Sequence, residues 1–437
     1  MKDLKKPELL LPAGSLNRLK TAFLYGADAV YAGMPGVCLR NKISFTPDEL
    51  KQGIDYAHER NKKVYLTVNL FTHNRDIERV EHFISLLNDL SPDGVIVADP
   101  GVFAEIKKKV PDLPLHISTQ ANVCSSLTVR FWQEQGAALC VLGREVPLSE
   151  IQEIRSDCPH IKLETFIHGA LCVSYSGRCL LSNFMTGRSA NKGNCAHACR
   201  WRYKTYQTIN AEKSKTSLSD DDTRFYIEEE TRPHELMQID EDEHGTYIMN
   251  SRDLCWLPRL NELLPIGIDS FKIEGRNKSE YYAAVAARAY RHAIDDWFKN
   301  PDTWQPNQYM AELETLQSRG YTVGFLDGNA GPEAHNYDVS ASTGKWRFAG
   351  VVRGYQAGRL LLEVKHKITK GMLLEFLSPY QFDPIQITVG DFYDASNGQA
   401  VETLSSGRLG QSIELPITPE LAQKLPELSV VRTKITV

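Results

Sequence analysis

The 437-residue chain lacks any run of 18 apolar residues, and its opening stretch, MKDLKKPELLLPAG, holds only three consecutive apolar residues before Pro12. Those two shortages argue against a transmembrane helix and a secretory leader, so a cytoplasmic protein without membrane association is expected. The chain also lacks the excess positive charge of a non-specific nucleic-acid binder. Asp and Glu number 55 against 50 Lys and Arg, a net charge of −5 that leaves room for a local basic patch but not for a basic coat. No GxGxxG follows the first strand-like segment, so a dinucleotide site has no support, and neither HExxH nor GxSxG occurs. What the chain does have is cysteine, nine in all. In a reducing compartment these are seldom structural disulfides, and a dense local group points to metal or redox chemistry.

Short apolar runs recur with room for a helix between them: ELLL at Glu8, DAVYAG at Asp28, KVYLTVN at Lys63, GVIVADP at Gly94, LPLHIS at Leu113, LCVLG at Leu139, KLETFIHG at Lys162 and SFKIEGR at Ser270. The intervening SLNRLKTAFLYG and DIERVEHFISLLNDL have helical spacing, the first with a Ser cap and a terminal Gly. Eight such repeats predict an α/β fold, a closed (β/α)8 TIM-like barrel over residues 1–330, rather than a doubly wound sheet. Between the seventh and eighth strands lie about 100 residues where a loop and helix need far fewer, so 169–269 reads as a large insertion. It contains a polar stretch, INAEKSKTSLSDDDT, and the strand-like RFYIEEE and EHGTYIMNS. Residues 331–344 read as a linker. From Lys345 to the C-terminus the pattern changes to alternating strands without a long helix, which predicts a small β-barrel.

In a (β/α)8 barrel the chemistry gathers where strands end at their C-terminal side. Polar residues follow several strands there: Gln120, Arg144, Glu145, His168, Glu274 and Arg276, with Arg40 in the loop after the second. We take His168, Glu274 and Glu145 as catalytic candidates. Arg40, Arg144, Arg276 and Gln120 are the candidates for binding substrate. Strand ends face water, so a purely solvated role is the competing explanation for each.

Four cysteines, Cys172, Cys179, Cys195 and Cys199, open the insertion in a C-x6-C-x15-C-x3-C pattern. If NCAHACRW is helical, Cys195 and Cys199 share one helix face and can reach one metal centre. Four thiolates suit zinc or an iron–sulfur cluster. Structural zinc prefers two tight C-x2-4-C pairs, whereas only one pair is close here, so the spacing favours a [4Fe–4S] cluster. From Gly169 to Lys204 there are six Lys and Arg and no Asp or Glu, with Tyr175, Phe184, Trp201 and Tyr203 interleaved. Such a segment suits RNA phosphates and an exposed base, or else charge balance for the cluster.

ETFIHGALCVSYSGRCLLS closely resembles the signature of peptidase family U-32, the collagenase-like proteases. PELLLPAGSL, YGADAVYAG, ISTQAN, KGNCAHACRW, DEHGTYIMNSRDL and SFKIEGRNKSEYY resemble the branch of that family that makes 5-hydroxyuridine in tRNA, across nearly the whole chain. The resemblance implies prephenate-dependent hydroxylation of wobble uridine 34, with an iron–sulfur cluster on Cys172, Cys179, Cys195 and Cys199 and with tRNA and prephenate as partners. Two alternatives stand beside it. A U-32-type peptidase lacks an evident nucleophile, since the cysteines available are the ones explained as metal ligands. A non-catalytic tRNA-binding protein with a structural cluster has no need of eight converging strand ends.

Overall fold

The computed structural model describes residues 4–38, 45–172, 174, 178–179, 181–188, 190, 195–200, 203–207, 225–229, 236–239, 251–328, 334, 344–405 and 410–435. Arg40, the INAEKSKTSLSDDDT stretch, nearly all of EHGTYIMNS and nearly all of the 331–344 linker lie outside the described residues.

Seven parallel strands come first: β1 Glu8–Pro12, β2 Ala29–Ala32, β3 Lys63–Val68, β4 Gly94–Val97, β5 Leu115–Ile117, β6 Leu139–Val141 and β7 Lys162–Ala170. Three short strands of the insertion, β8 Tyr203–Gln207, β9 Phe225–Glu229 and β10 Leu236–Ile239, form an antiparallel ribbon, followed by β11 Asp253–Cys255 and β12 Ser270–Ile273. Ser270 of β12 stands opposite Glu8 of β1 on one side and Glu164 of β7 on the other, so β12 closes the barrel as its eighth strand. Each expected strand run lies on one of these eight. Between them run helices α1 Leu16–Leu24, α2 Pro47–His58, α3 Ile77–Leu90, α4 Pro100–Lys109, α5 Ser126–Glu134 and α6 Leu148–Asp157. Their starts are set locally: the Ser15 hydroxyl accepts from the Arg18 amide, and Thr46 with Glu49 forms a capping box.

The strands are buried on both faces, which explains their nearly continuous apolar runs. Outward residues join the helices in one core, while Leu10, Ala29, Tyr31, Tyr65 and Ile96 pack together inside the barrel. After α7 Leu181–Thr186 and the short α8 Leu260–Leu263, the 20-residue helix α9 Glu280–Lys299 starts at a Ser279 cap and covers the outside of the β12 and β1 region. Helix α10 Asn307–Leu313 packs on α9.

From Trp346 to Lys434 an eight-stranded antiparallel sheet curls into a half-barrel around its own core, which includes Val352, Leu362, Phe376 and Phe392. It is joined firmly to the barrel. The Tyr25 hydroxyl donates to the Leu377 carbonyl and accepts from the Val430 amide at 3.0 Å, and Arg432 reaches Glu312 of α10 at 3.0 Å.

Candidate functional site

A cavity of about 510 Å3 opens where the barrel strands end. Its inner wall is made by Tyr31 of β2, Thr67 of β3, Ile96 of β4, Phe166 of β7 and Lys272 of β12, and its rim by the residues just beyond the strands. Alternation along a strand decides which residues reach it. On β7 and β12 the inward series is Glu164, Phe166, Ser270 and Lys272. Deep in this series Lys272 Nζ lies 2.7 Å from Glu164 Oε1, and the Ser270 hydroxyl donates to Glu164 Oε2 at 2.8 Å.

Among the described residues the rim and wall carry Arg144, Arg178, Lys272, Arg276 and Lys278 against a single carboxylate, Glu274. The Arg144 guanidinium stacks on the Phe166 ring at 3.6 Å, and its Nε is buried without a hydrogen-bond partner. Arg276 is buried and donates to the Thr67 hydroxyl at 3.1 Å. Neither guanidinium has a carboxylate partner among the described residues, so the expected alternative of pairing with Glu145 or Glu274 is not what the side chains do. Gly33 makes the Arg276 position possible: a Cβ there would stand 2.5 Å from Arg276 Nη1 and 2.7 Å from Thr67 Oγ1. Glu274 is held by the Tyr31 hydroxyl at 3.2 Å. Burial and that nearby carboxylate push the Tyr31 phenol well up, while Arg276 and Arg144 pull it down. Gln120 also lines the cavity, with Asn69 donating to its Oε1 at 3.4 Å and Ser118 donating to the same oxygen.

The structure does not bring His168 or Glu145 to this cavity. The pairing of β7 with β12 slips by one residue, so that Lys272 faces Phe166 but Ile273 faces His168. The extra residue, Ile167, takes His168 out of the inward series. Its ring instead packs against Tyr282 and Tyr290 of α9 and against Tyr321, at 5.4 to 5.9 Å between centroids. Burial drives its pKa down to about 4, so it is a neutral core histidine at pH 7. Glu145 follows Arg144 directly and turns the other way, its carboxylate crowding the space beside Gly143 along with Cys124. Both expectations assumed that any polar residue at a strand end faces the mouth.

All four cysteines of the insertion line the same cavity, and none of the nine is in a disulfide. Cys172 stands two residues beyond the end of β7. The expected helix through Cys195 and Cys199 is replaced by an extended turn with His197 at φ +58°, followed by a single turn at Ala198–Arg200. The turn is tied down by Ser182 of α7, which accepts from the Ala196 amide at 2.8 Å and donates to the Arg188 carbonyl at 2.7 Å. The His197 amide donates to Cys195 Sγ at 3.3 Å. Among the described residues no three Cys, His, Asp or Glu side chains are gathered tightly enough to hold a metal ion. By residue type the cavity offers what a thiolate-bound centre uses: four cysteines, an amide already directed at one sulfur, and a cationic rim.

Sequence reasoning missed Lys272, Glu164, Thr67 and Asn69. A signal existed for the first two, because Glu164 and Lys272 each interrupt an otherwise apolar run in neighbouring barrel strands.

A (β/α)8 barrel with a cationic, thiol-lined mouth, fused to an antiparallel half-barrel, is the class that fold and site define. The chain belongs to peptidase family U32: the model of that family matches residues 14–336, and that of the peptidase family U32 C-terminal domain matches 344–432. Among its relatives, tRNA hydroxylation protein P of Escherichia coli (strain K12) is 39% identical over 438 residues, covering 95% of each chain. The tRNA hydroxylation protein P1 of Bacillus subtilis (strain 168) is 35% identical over 379 residues, 86% of this chain and 84% of that one. The 23S rRNA 5-hydroxycytidine C2501 synthase of Escherichia coli (strain K12) is 34% identical over 288 residues, 66% of this chain and 39% of the synthase. Among the described residues no helix is long and apolar enough to cross a membrane.

Proposed function

We propose that this chain is a tRNA-modifying enzyme that hydroxylates wobble uridine 34 to 5-hydroxyuridine, with prephenate as co-substrate and a [4Fe–4S] cluster on Cys172, Cys179, Cys195 and Cys199. The observation that carries the reading is the composition of one cavity: four cysteines outside any disulfide and, among the described residues, five cationic side chains against one carboxylate, with Arg144 and Arg276 lacking acidic partners there. The names of its relatives supply the nucleic-acid substrate and the class of reaction.

A cluster bound to the four thiols would supply one-electron chemistry beside the pocket. The remaining roles fall to the chain itself. Prephenate carries two carboxylates, and a guanidinium fork is the side chain that fixes a carboxylate in plane through two parallel hydrogen bonds. Arg276 is already oriented by Thr67, and Arg144 by its stacking on Phe166, so neither must give up an ion pair to bind an anion. Glu274, contacted by the Tyr31 hydroxyl, is the one carboxylate among the described residues of the cavity and takes the role of accepting or returning a proton. Gln120 presents a neutral amide to the same space.

The test is to replace Arg144 and Arg276 singly by Ala and by Lys, and to measure prephenate binding and tRNA hydroxylation separately. Losing one buried bidentate partner is expected to cost about 2 to 5 kcal/mol of affinity. Variants that bind prephenate and hydroxylate tRNA as the parent does would contradict the assignment.

A further inference from the structure

Lys272 is charged, buried and under-used. Its side chain is 5% exposed and its ion-pair partner Glu164 1%. Removing two charges from water costs several kcal/mol per ion, and an apolar pair of the same volume would serve stability as well or better. An ammonium has three N–H donors. Among the described residues one of them finds an acceptor, Glu164 Oε1 at 2.7 Å, while Glu164 has its other oxygen satisfied by Ser270. Two aromatic faces lie beside it, Tyr31 at 4.7 Å and Phe166 at 5.4 Å from Nζ to the ring centroids. Those faces favour a cation but accept no conventional hydrogen bond. Lys272 also lines the cavity, so its unused donors sit where a ligand would enter.

The neighbouring charges point the same way. Arg144 stacks on the Phe166 ring that Lys272 also approaches, and both Arg144 and Arg276 act on the Tyr31 hydroxyl beneath the mouth. Three cations thus surround two aromatic rings, and of the two acids among them Glu164 is spent on Lys272 and Ser270. Like charges held together in a water-poor space repel one another, and an anion of matching charge relieves that repulsion when it binds.

We infer that Lys272 is a ligand-binding residue on the floor of the cavity, and that it takes one carboxylate of a compact dicarboxylate whose other carboxylate lies against Arg144 and Arg276. This rests on the reading of the cavity given above and adds to it the residue that makes the pocket select two carboxylates over one. Glu164 positions Lys272 and does not touch the ligand.

The experiment compares prephenate with phenylpyruvate, which keeps the keto-acid side chain but has a single carboxylate, by isothermal titration calorimetry on the full-length protein. The parent protein should prefer prephenate by at least about thirtyfold, the lower end of what one buried charge partner contributes. Lys272→Met combined with Glu164→Gln removes both members of the buried pair and strands neither, so it should keep the parent melting profile. In it prephenate affinity should fall by about thirtyfold or more while that for phenylpyruvate changes little. Lys272→Gln with Glu164 intact retains a donor to Glu164 and should lose the same preference, whereas Glu164→Gln alone should keep it. A folded Lys272 variant with the parent's full preference would overturn the role of Lys272 and leave the cavity reading standing. A parent protein that binds neither compound would overturn both.

Discussion

Arg432 joins the C-terminal half-barrel to the barrel through a network that is buried at every member. Its Nη1 reaches Glu312 Oε2 and the Thr315 hydroxyl, both at 3.0 Å, and its Nε reaches Glu375 Oε2 at 2.8 Å. Glu312 in turn meets Arg288 of α9 at 3.3 Å. Arg432→Met removes the cation but keeps much of the volume. Glu312 retains Arg288, whereas Glu375 is left buried with, among the described residues, the Gln386 amide at 3.0 Å. Stranding one member of a buried pair costs about 3 to 5 kcal/mol. Urea unfolding followed by tryptophan fluorescence reads this directly, because the Arg432 guanidinium sits 4.6 Å from the Trp346 ring. Arg432→Met should lower the unfolding free energy by about 3 kcal/mol or more, and adding Glu375→Gln should restore at least about 1 kcal/mol by removing the stranded charge. A loss below about 1 kcal/mol for the single variant, or no recovery in the double, would refute the claim that this network holds the two units together. The consequence reaches the site, since α9 also carries Tyr282, whose hydroxyl donates to the Glu274 carbonyl at 2.6 Å.

Stability should depend on pH through the buried histidines. Burial lowers His168 to about 4 and His116 to about 3, so the unfolded chain takes up protons near pH 6.5 while the folded one does not. Their contribution is therefore complete above about pH 6.5 and is lost progressively as the pH falls toward 4. Urea midpoints at pH 7 and pH 5 should differ, and His116→Gln should reduce the difference; identical midpoints would contradict it. Anaerobically purified protein is expected to contain iron and acid-labile sulfide with broad visible absorbance, and Ala at any one of Cys172, Cys179, Cys195 or Cys199 should lower both. One zinc per chain without sulfide would exclude the cluster.

The barrel was legible in the sequence because each buried strand announces itself as a short apolar run, and the helix between two strands shows its own caps and spacing. Side-chain direction was not, wherever one residue of register decides it. The slip at Ile167 sends His168 to α9, and in the turn after β6 Arg144 lines the cavity while its neighbour Glu145 does not. Lys272 and Glu164 were visible as charges inside apolar runs, but their meaning depends on the closure of β12 against β7, a contact between strands more than 100 residues apart. Strand-end position was enough to bring Arg144 and Arg276 to the cavity. Their lack of acidic partners among the described residues is a fact of packing that no spacing reveals.

Nucleoside mass spectrometry of tRNA tests the central claim most directly. In cells deprived of this gene and of every parallel pathway, the account predicts that 5-hydroxyuridine and its derivatives at position 34 disappear, that the wild-type gene restores them, and that the Cys172→Ala and Arg276→Ala variants do not. Unchanged 5-hydroxyuridine in those cells would contradict it.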